Sequence, residues 1–208
     1  MEKSSIRVLG FVGSMRNNKN TYLVVENCLE EAREAGENVE TKLFYVKDLD
    51  IGPCRACYKT CSPSPYECVV KDGLQQTFKE IVDADALVFG SPKYFPIPSK
   101  MVAFMERLVC LSYFTEMKHP SIKHPLEDKP CGLIVVSGGD DVMPILQQLE
   151  NFALSLRMKV VTLKSYPYIG VGGTGNVAED EDLKPLENAK ILGRKLVEAV
   201  KNQRRSYP

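Results

Sequence analysis

The most chemically distinctive feature of this chain is a group of four cysteines within fifteen residues: Cys54, Cys57, Cys61 and Cys68. Their spacing is C-x2-C-x3-C-x6-C, and the segment also holds Pro53, Pro63 and Pro65, so it is predicted to be an irregular loop. Four thiolates on one such loop can ligate a cubane iron–sulfur cluster, which cysteine sulfurs usually hold. The prolines limit the freedom of the loop and reduce the entropy lost when it is ordered.

Other interpretations of these cysteines remain open at the level of the residues. Four thiolates also suit structural zinc, although zinc sites usually consist of two separated CxxC pairs. Cys54 and Cys57 could form a redox-active dithiol, or the four cysteines could bind nothing. The three remaining cysteines, Cys28, Cys110 and Cys131, lie in or beside predicted helices and strands and are predicted to be small buried hydrophobic residues.

A second candidate site follows the first apolar run, where residues 13–21 read GSMRNNKNT ahead of a predicted helix. Backbone N–H groups and the helix dipole favour an anion at such a position. Ser14, Asn20 and Thr21 can donate to phosphate oxygens, and Arg16 can add a charged, forked donor. The GxxxxGK[ST] pattern of a Walker loop is missing. The segment therefore predicts a phosphate site, with a polar turn and helix cap as the alternative.

Two further loops could contact a flat ring ligand. After the third apolar run come Pro92, Lys93, Tyr94 and Phe95, and after the fourth come Ser137, Gly138 and Gly139. A rigid aromatic loop offers backbone N–H groups and a hydrophobic wall, and the glycines permit close backbone contact. The alternative is a proline-rich turn whose aromatics lie in the core. If the three loops converge, they could bind one ligand that carries both a phosphate and a flat ring, such as flavin mononucleotide.

The elements that must position these loops alternate between strand and helix. Strands are predicted at 6–12, 39–46, 86–90, 131–136 and 159–163. Helices are predicted at about 20–36, 72–84, 99–108 and 185–201, and a further helix is predicted to begin at Asp140 or Asp141. Several strands are almost continuously apolar, which is typical of a parallel sheet covered on both faces. The pattern predicts a doubly wound α/β fold, whose ligands bind beyond the carboxyl ends of the strands.

No composition break marks a second domain, so residues 1–208 are predicted to form a single domain, with the cysteine loop at about 50–70 and a surface excursion at about 113–130. Residues 170–175 (GVGGTG) match GxGxxG, but an acidic stretch follows instead of a helix, which favours a plain loop with a minor role near the ligand.

Composition excludes several classes of function. The chain has 27 Lys+Arg and 27 Asp+Glu, so a formal net charge of zero gives no reason to expect nucleic-acid binding. No apolar run approaches the roughly 20 residues that span a bilayer. The N-terminal residues show no signal-peptide pattern. We therefore expect a cytoplasmic protein with no membrane or nucleic-acid partner.

Together, these segments resemble the flavodoxin-like NADPH-dependent FMN reductases, and within them the iron–sulfur flavoproteins. The matching segments are GSMRNNKNT (13–21), CRACYKTC with Cys68 (54–68), VKDGL (70–74), ADALVFGSPKYF (84–95) and SKMVAFMERL (99–108). Iron–sulfur flavoproteins usually have two residues between the second and third cysteines, whereas this chain has three. The resemblance covers about residues 5 to 165.

The resemblance implies a flavodoxin-like five-stranded sheet of order 2-1-3-4-5 that binds FMN. It implies that the phosphate is held by Ser14, Arg16, Asn20 and Thr21. It also implies that Pro92, Lys93, Tyr94 and Phe95 line the isoalloxazine, with Ser137, Gly138 and Gly139 nearby. A homodimer or homotetramer with FMN near a subunit interface is implied as well.

The function predicted first is an FMN-dependent oxidoreductase that couples two-electron flavin chemistry to a one-electron [4Fe–4S] cluster ligated by Cys54, Cys57, Cys61 and Cys68. The donor is a redox partner such as NAD(P)H or ferredoxin, and no acid or base catalyst is assigned because the chemistry belongs to the cofactors. The alternatives are an NAD(P)H:FMN or quinone reductase without a cluster, a non-enzymatic flavodoxin-like carrier, and a zinc-stapled binding module without flavin.

Overall fold

The computed structural model describes residues 5–62, 64, 66–139, 141–179 and 183–206. Its strands are β1 (Ile6–Val12), β2 (Val39–Tyr45), β3 (Ala86–Pro92), β4 (Pro130–Ser137), β5 (Lys159–Val160) and β6 (Val171–Thr174). Its α-helices are α1 (Asn20–Glu34), α2 (Leu74–Asp83), α3 (Ser99–Ser112), α4 (Met143–Ser155) and α5 (Lys184–Ser206). A π-helical segment, Tyr113–Lys118, continues α3. Pro63 and Pro65 of the cysteine loop lie outside the described residues, as do residues 1–4.

The strands form one sheet in the order β2-β1-β3-β4-β5, and every strand pair is parallel. This order confirms the predicted flavodoxin-like, doubly wound α/β fold. All residues of β3 and β4 are buried, which explains why their sequences are apolar without alternation.

Two hydrophobic clusters cover the two faces of the sheet. Phe11 and Phe89 face one side, where they pack with residues of α2, α3 and α4. Val8 and Val88 face the other side, where they pack with residues of α1 and α5. Because adjacent residues of a strand point to opposite faces, each central strand must be apolar on both. Cys28 and Cys131 are fully buried in these clusters.

The fifth position of the sheet differs from the prediction of one strand over residues 159–163. There β5 pairs with only two residues of β4, Pro130 and Cys131, while β6 pairs with Ile134 to Ser137 further along β4. The predicted loop at residues 170–175 is therefore a strand over four of its residues, and the sheet has six strands among the described residues. A Cβ at Gly172 would lie 2.7 Å from Val142, so the glycine allows this close packing.

The predicted surface excursion is partly packed against the body of the protein. Phe114 and Leu126 are buried, and buried His124 accepts a hydrogen bond at Nδ1 from the Leu126 N–H and lies 3.1 Å from Ser112 Oγ through Nε2. None of the helices in the described part of the chain is long and apolar enough to cross a membrane.

Candidate functional site

The loops that follow β1, β3 and β4 meet at one edge of the sheet. The Gly13 N–H donates to the Gly90 carbonyl over 2.7 Å, and the Lys93 N–H donates to the Val136 carbonyl over 2.8 Å. These bonds continue the strand pairing beyond the predicted strand ends. The three segments predicted to contact a phosphate-plus-ring ligand are therefore neighbours, and we call them the carboxyl-edge loops.

The first carboxyl-edge loop presents a helix N-terminus without a competing anion. The first turn of α1 contains no acidic residue, and its capping residue, Lys19, makes no side-chain capping bond. Ser14 is 2% exposed, and its Oγ accepts a hydrogen bond of 3.1 Å from the Arg16 N–H. Thr21 is buried, whereas the Arg16 side chain is exposed. N–H groups and the helix dipole at this position favour an anion.

Asn20, one of the predicted phosphate ligands, also has a structural partner. Its Nδ2 donates to the Gly175 carbonyl over 3.1 Å, and the Gly175 N–H donates to the Ser137 carbonyl over the same distance. The end of β6 thus links the first carboxyl-edge loop to the loop after β4. Sequence reasoning missed this link because Gly175 lies in a glycine-rich segment without strand character.

The loops after β3 and β4 form an open wall. Pro92 is buried as the last residue of β3, while Tyr94 and Phe95 are 46% and 98% exposed. The Lys93 Nζ donates to the Asp141 carbonyl over 2.9 Å, which ties one loop to the other. Gly139 has a φ of 141°, a backbone conformation that favours glycine, and a Cβ there would meet no atom within 4 Å. The aromatic pair is therefore free to contact a ligand instead of packing in the core.

A cavity of about 320 Å³ adjoins this wall on the β6 side, where its lining includes Gly139, Asp141 and Tyr166. The Tyr166 hydroxyl donates to Asp141 Oδ1 over 3.4 Å, and Tyr166 packs edge-on against Tyr168. Both tyrosines are more than half exposed. The cavity gives the edge room for a second molecule beside a bound ring.

The four predicted cysteine ligands line a single pocket, which we call the cysteine pocket. The pocket is bounded by the loop after β2 and by the last two turns of α3, and its lining also includes Arg107, Cys110 and Tyr113. Exposure falls from Cys54, which is exposed, to Cys68, which is 5% exposed. No three His, Cys, Asp or Glu residues in the described part of the chain are arranged to hold a single metal ion. Four cysteine sulfurs form a donor set that suits a cubane iron–sulfur cluster and also structural zinc.

The cysteine loop contains unusual backbone conformations. Three of its non-glycine residues, Ala56, Ser62 and Tyr66, have φ values of 48°, 51° and 61°. Such conformations cost about 1–3 kcal/mol each and concentrate at functional sites. The space between the cysteines is about 30 Å³, so a cubane requires the loop to move outward. Residues 52–56 are exposed and without regular structure, which permits that movement.

The electrostatics of the pocket disfavour a free thiolate at Cys61. Burial raises the pKa of the Cys61 thiol to about 11, with a further rise from Cys57, Cys68 and Cys54, while the Lys118 ammonium opposes this shift. Lys118 belongs to the π-helical segment, and its Nζ donates to the carbonyls of Cys61 and Ser62. Crowded thiols deprotonate readily only when a metal charge compensates them. The pocket therefore offers four thiols that a bound cation would help to deprotonate.

Arg107 is buried at the floor of this pocket and is 2% exposed. Its Nη1 and Nη2 donate to the two carboxylate oxygens of Asp72 over 2.7 and 3.1 Å. The Asp72 Oδ1 also accepts the Leu74 N–H, so the carboxylate caps the start of α2. Burial raises the pKa of Asp72, but the Arg107 hydrogen bonds and charge outweigh it and lower the pKa overall.

Helix α3 connects the cysteine pocket to the carboxyl-edge loops. Its first residue follows the aromatic loop, and the Lys100 Nζ donates to the Ile51 carbonyl over 2.8 Å at the start of the cysteine loop. Further along, Glu106 accepts a 3.4 Å bond from the Cys54 N–H, and Arg107 reaches the Gly52 carbonyl. One helix therefore positions both regions.

Sequence reasoning identified the cysteines but missed Asp72, Arg107 and Lys118. The first two fall within VKDGL and SKMVAFMERL, segments that carried the family resemblance, but no spacing rule connects an aspartate to an arginine 35 positions away. Lys118 lies in the segment predicted as a surface excursion. Cys110, predicted to be a buried hydrophobic residue, is 3% exposed and also lines the cysteine pocket.

Comparison with known proteins relates these observations to a family. A sequence profile described as NADPH-dependent FMN reductase matches residues 6–169. An iron–sulfur flavoprotein of Methanocaldococcus jannaschii is 30% identical over 205 residues, which cover 94% of this chain and 98% of the relative. An iron–sulfur flavoprotein of Archaeoglobus fulgidus is 25% identical over 220 residues, covering 97% of this chain and all of the relative.

Among solved structures, RosB with bound 8-demethyl-8-formylriboflavin-5'-phosphate is similar at a TM-score of 0.75 and 15% sequence identity, covering 97% of this chain and 81% of RosB. This likeness shows a shared fold. The profile match and the sequence identity to relatives of the same length also show the family. The chain belongs to the NADPH-dependent FMN reductase family, in its iron–sulfur flavoprotein branch, and is a flavin-dependent oxidoreductase.

Proposed function

We propose that this oxidoreductase binds FMN at the carboxyl-edge loops and a [4Fe–4S] cluster at the cysteine pocket, and that it passes electrons between them. The observation that carries the proposal is the convergence of Cys54, Cys57, Cys61 and Cys68 on one pocket beside the helix that also borders the aromatic loop. The names of the relatives, iron–sulfur flavoproteins, support the same pair of cofactors.

The carboxyl-edge loops suit FMN in their charge and shape. The N–H groups at the start of α1 and the Ser14 hydroxyl lie where the phosphate binds, and Arg16 and Thr21 complete this part of the site. The isoalloxazine would be lined by Pro92, Lys93, Tyr94 and Phe95, with Ser137, Gly138 and Gly139 nearby. In this proposal Asn20 acts mainly by holding Gly175 in place.

When bound, FMN accepts two electrons together and releases them singly, and a [4Fe–4S] cluster carries one electron at a time. The residues of the chain contribute position and electrostatics. Phe95 and Tyr94 shield one side of the flavin site from water, while Arg107 and Lys118 supply positive charge beside the four thiolates. No side chain is required as an acid or base.

The electron donor is a redox partner such as NADH, NADPH or reduced ferredoxin. The cavity beside Gly139 and Tyr166 offers space for a donor next to the flavin site. We further propose a cytoplasmic homodimer or homotetramer, formed by one domain per chain. The exposed Phe95 is the kind of side chain that a second subunit covers.

The proposal is tested by purifying the protein without oxygen, recording its absorption spectrum, and counting iron, acid-labile sulfide, zinc and flavin per chain. About four iron and four sulfide per flavin are expected. A flavin spectrum without iron, persisting after cluster reconstitution, would leave the plain NAD(P)H:FMN or quinone reductase. Zinc in place of iron would overturn the proposal that the cysteines bind an iron–sulfur cluster.

A stopped-flow comparison separates an enzyme with its own reductase activity from a carrier. Fast flavin reduction by NAD(P)H is expected if the cavity beside the flavin accepts a nicotinamide. Slow NAD(P)H oxidation together with fast exchange with reduced ferredoxin would identify ferredoxin as the donor class.

A further inference from the structure

Arg107 has four of its five N–H donors fixed by neighbouring groups. Nη1 donates to Asp72 Oδ2 over 2.7 Å and to the Gly52 carbonyl over 3.1 Å. Nη2 donates to Asp72 Oδ1 over 3.1 Å and to the Val70 carbonyl over 3.4 Å. These four hydrogen bonds hold the guanidinium in one orientation, because the planar group cannot rotate without breaking several of them at once.

The fifth donor, Arg107 Nε, has no hydrogen-bond partner among the described residues, and it is the single buried side-chain nitrogen or oxygen there with this property. Buried donors without a partner are rare in folded proteins and call for a specific explanation, such as an ion or ligand. Arg107 lines the cysteine pocket together with all four predicted cluster ligands. The unpaired donor therefore lies at the wall of that pocket.

Cys68, which is 5% exposed, lines the same pocket and interacts electrostatically with the guanidinium. Arginine is charged at every physiological pH, so this side chain places a permanent positive charge beside the most buried of the four cysteines.

We propose that Arg107 is part of the cluster site, where its Nε–H donates a hydrogen bond to a sulfur of the bound [4Fe–4S] centre and its charge raises the reduction potential of that centre. This inference rests on the proposed function. One electron enters the centre from the reduced flavin, and Arg107 keeps its proton throughout. Because reduction adds one negative charge, a fixed cation and an N–H donor both stabilise the reduced form, and hydrogen bonds to cluster sulfurs are known to set such potentials.

Asp72 fixes the orientation of the Arg107 guanidinium. Its carboxylate occupies the end of the fork, so the free donor is the one on the pocket side. Asp72 itself does not line the pocket. The Arg107 charge therefore acts on the sulfurs from a shorter distance than the opposing Asp72 charge, and the pair as a whole favours the reduced centre.

The hydrogen bond is tested on the unmodified, cluster-loaded protein. The protein is produced with arginine carrying ¹⁵N in its side chain, the cluster is reduced, and pulsed EPR measures the hyperfine coupling between ¹⁵N and the cluster spin. A resolved coupling is expected in the wild type and is expected to vanish in Arg107→Lys, which keeps the charge but lacks Nε. Absence of a coupling in the loaded wild type would overturn the hydrogen bond.

The effect on potential is tested by redox titration of two loaded variants. In Arg107→Gln/Asp72→Asn the pair is removed without leaving a buried charge, and the ratio of reduced to oxidised cluster at a fixed potential is expected to fall at least tenfold, about 59 mV for one electron. Arg33→Gln removes an arginine at the far end of α1, where it bonds only Thr41, and should leave the potential unchanged.

The outcomes separate this inference from the function on which it rests. Wild-type protein without iron after reconstitution would overturn both. Wild-type protein with four iron, combined with no ¹⁵N coupling and a double variant at the wild-type potential, would overturn the role of Arg107 alone. If the double variant loses its cluster, the ¹⁵N measurement on the wild type still decides, since it needs no substitution.

Discussion

The carboxyl-edge loops and the cysteine pocket differ in how they are built. The carboxyl-edge loops are direct products of the fold, because parallel strands deliver their ends to one edge, and their key aromatic, Phe95, is 98% exposed. The cysteine pocket depends on a loop without regular structure, and its key cation, Arg107, is 2% exposed and paired with Asp72. One site is an open surface, and the other combines a partly exposed cysteine loop with a buried ion pair.

The difference matches what each proposed ligand demands. A flavin brings its own hydrophobic ring and needs backbone donors and a wall, which cost the apoprotein little stability. A centre held by four thiolates brings concentrated negative charge, so the protein must bury cations nearby and tie them down. We therefore expect substitutions at the carboxyl-edge loops to change binding alone, and substitutions around the cysteine pocket to change stability as well.

The largest expected effect comes from removing a cluster ligand. Cys68→Ala should lower iron and sulfide to background while FMN content stays at one per chain, because the two sites share no ligand. Cys110→Ala is the matched control, since Cys110 lines the same pocket and is equally buried but lies on α3. It should retain all its iron. Loss of iron from Cys110→Ala would place a fifth cysteine among the ligands.

Breaking the buried ion pair should have the next largest effect. Asp72→Ala leaves the Arg107 charge buried without its partner and should lower the free energy of unfolding by about 3–5 kcal/mol. Urea denaturation of the apoprotein measures this loss. Lys79→Ala removes a surface i,i+4 pair with Asp83 and should cost no more than about 0.5 kcal/mol. Equal losses in the two variants would contradict a special role for the buried pair.

At the carboxyl-edge loops, Phe95→Ala should weaken FMN binding by up to about tenfold, roughly 1.4 kcal/mol, because it removes an aromatic contact to the flavin. Fluorescence titration of apoprotein with FMN gives the affinity. The stability of the apoprotein should not change, since Phe95 has no buried contact to lose. In Phe89→Ala, by contrast, a core ring is lost and stability should fall by about 3–5 kcal/mol. A destabilised Phe95→Ala apoprotein would show that the wall is structural.

The smallest expected effect concerns His124, which supports the segment beside the cysteine pocket through Ser112 and Leu126. Burial lowers the pKa of His124, with Arg157 adding to the shift. The unfolded chain therefore takes up this proton first, near pH 6.5, so the stability contributed by neutral His124 is present above that pH and is lost as pH falls below it. His124 contributes at most about 1.4 kcal/mol per pH unit to the dependence of the free energy of unfolding on pH.

The matched variant is His124→Asn, whose side-chain oxygen can still accept the Leu126 N–H. Urea denaturation between pH 5 and pH 7.5 should show a smaller dependence of stability on pH in this variant than in the wild type. Identical slopes would mean that His124 titrates alike in both states.

Much of the molecule was predictable from sequence. The resemblance to the flavodoxin-like FMN reductases implied the sheet order, and the structure confirms it. Apolar runs such as Ile6–Val12 indicated buried parallel strands, and the convergence of the loops after β1, β3 and β4 followed from that parallel arrangement. The binding roles of their residues remain predictions, and Phe95 is exposed and does not pack in the core.

The fifth position of the sheet and the charges of the cysteine pocket were not predictable. Residues 171–174 form a strand because β4 offers unpaired backbone groups beyond the short β5, a condition absent from the local sequence. Their glycines, which suggested a loop, are what permit close packing beside Val142.

What the sequence determined by itself was local: apolar strands, a polar helix start, and four cysteines on one flexible segment. The tertiary structure alone decided which charges meet those cysteines. Arg107 and Asp72 are 35 positions apart and become partners only because α3 packs against the start of α2 and the loop before it. Periodicity reports which face of an element is buried, whereas the pairing of two buried charges depends on how separate elements pack together.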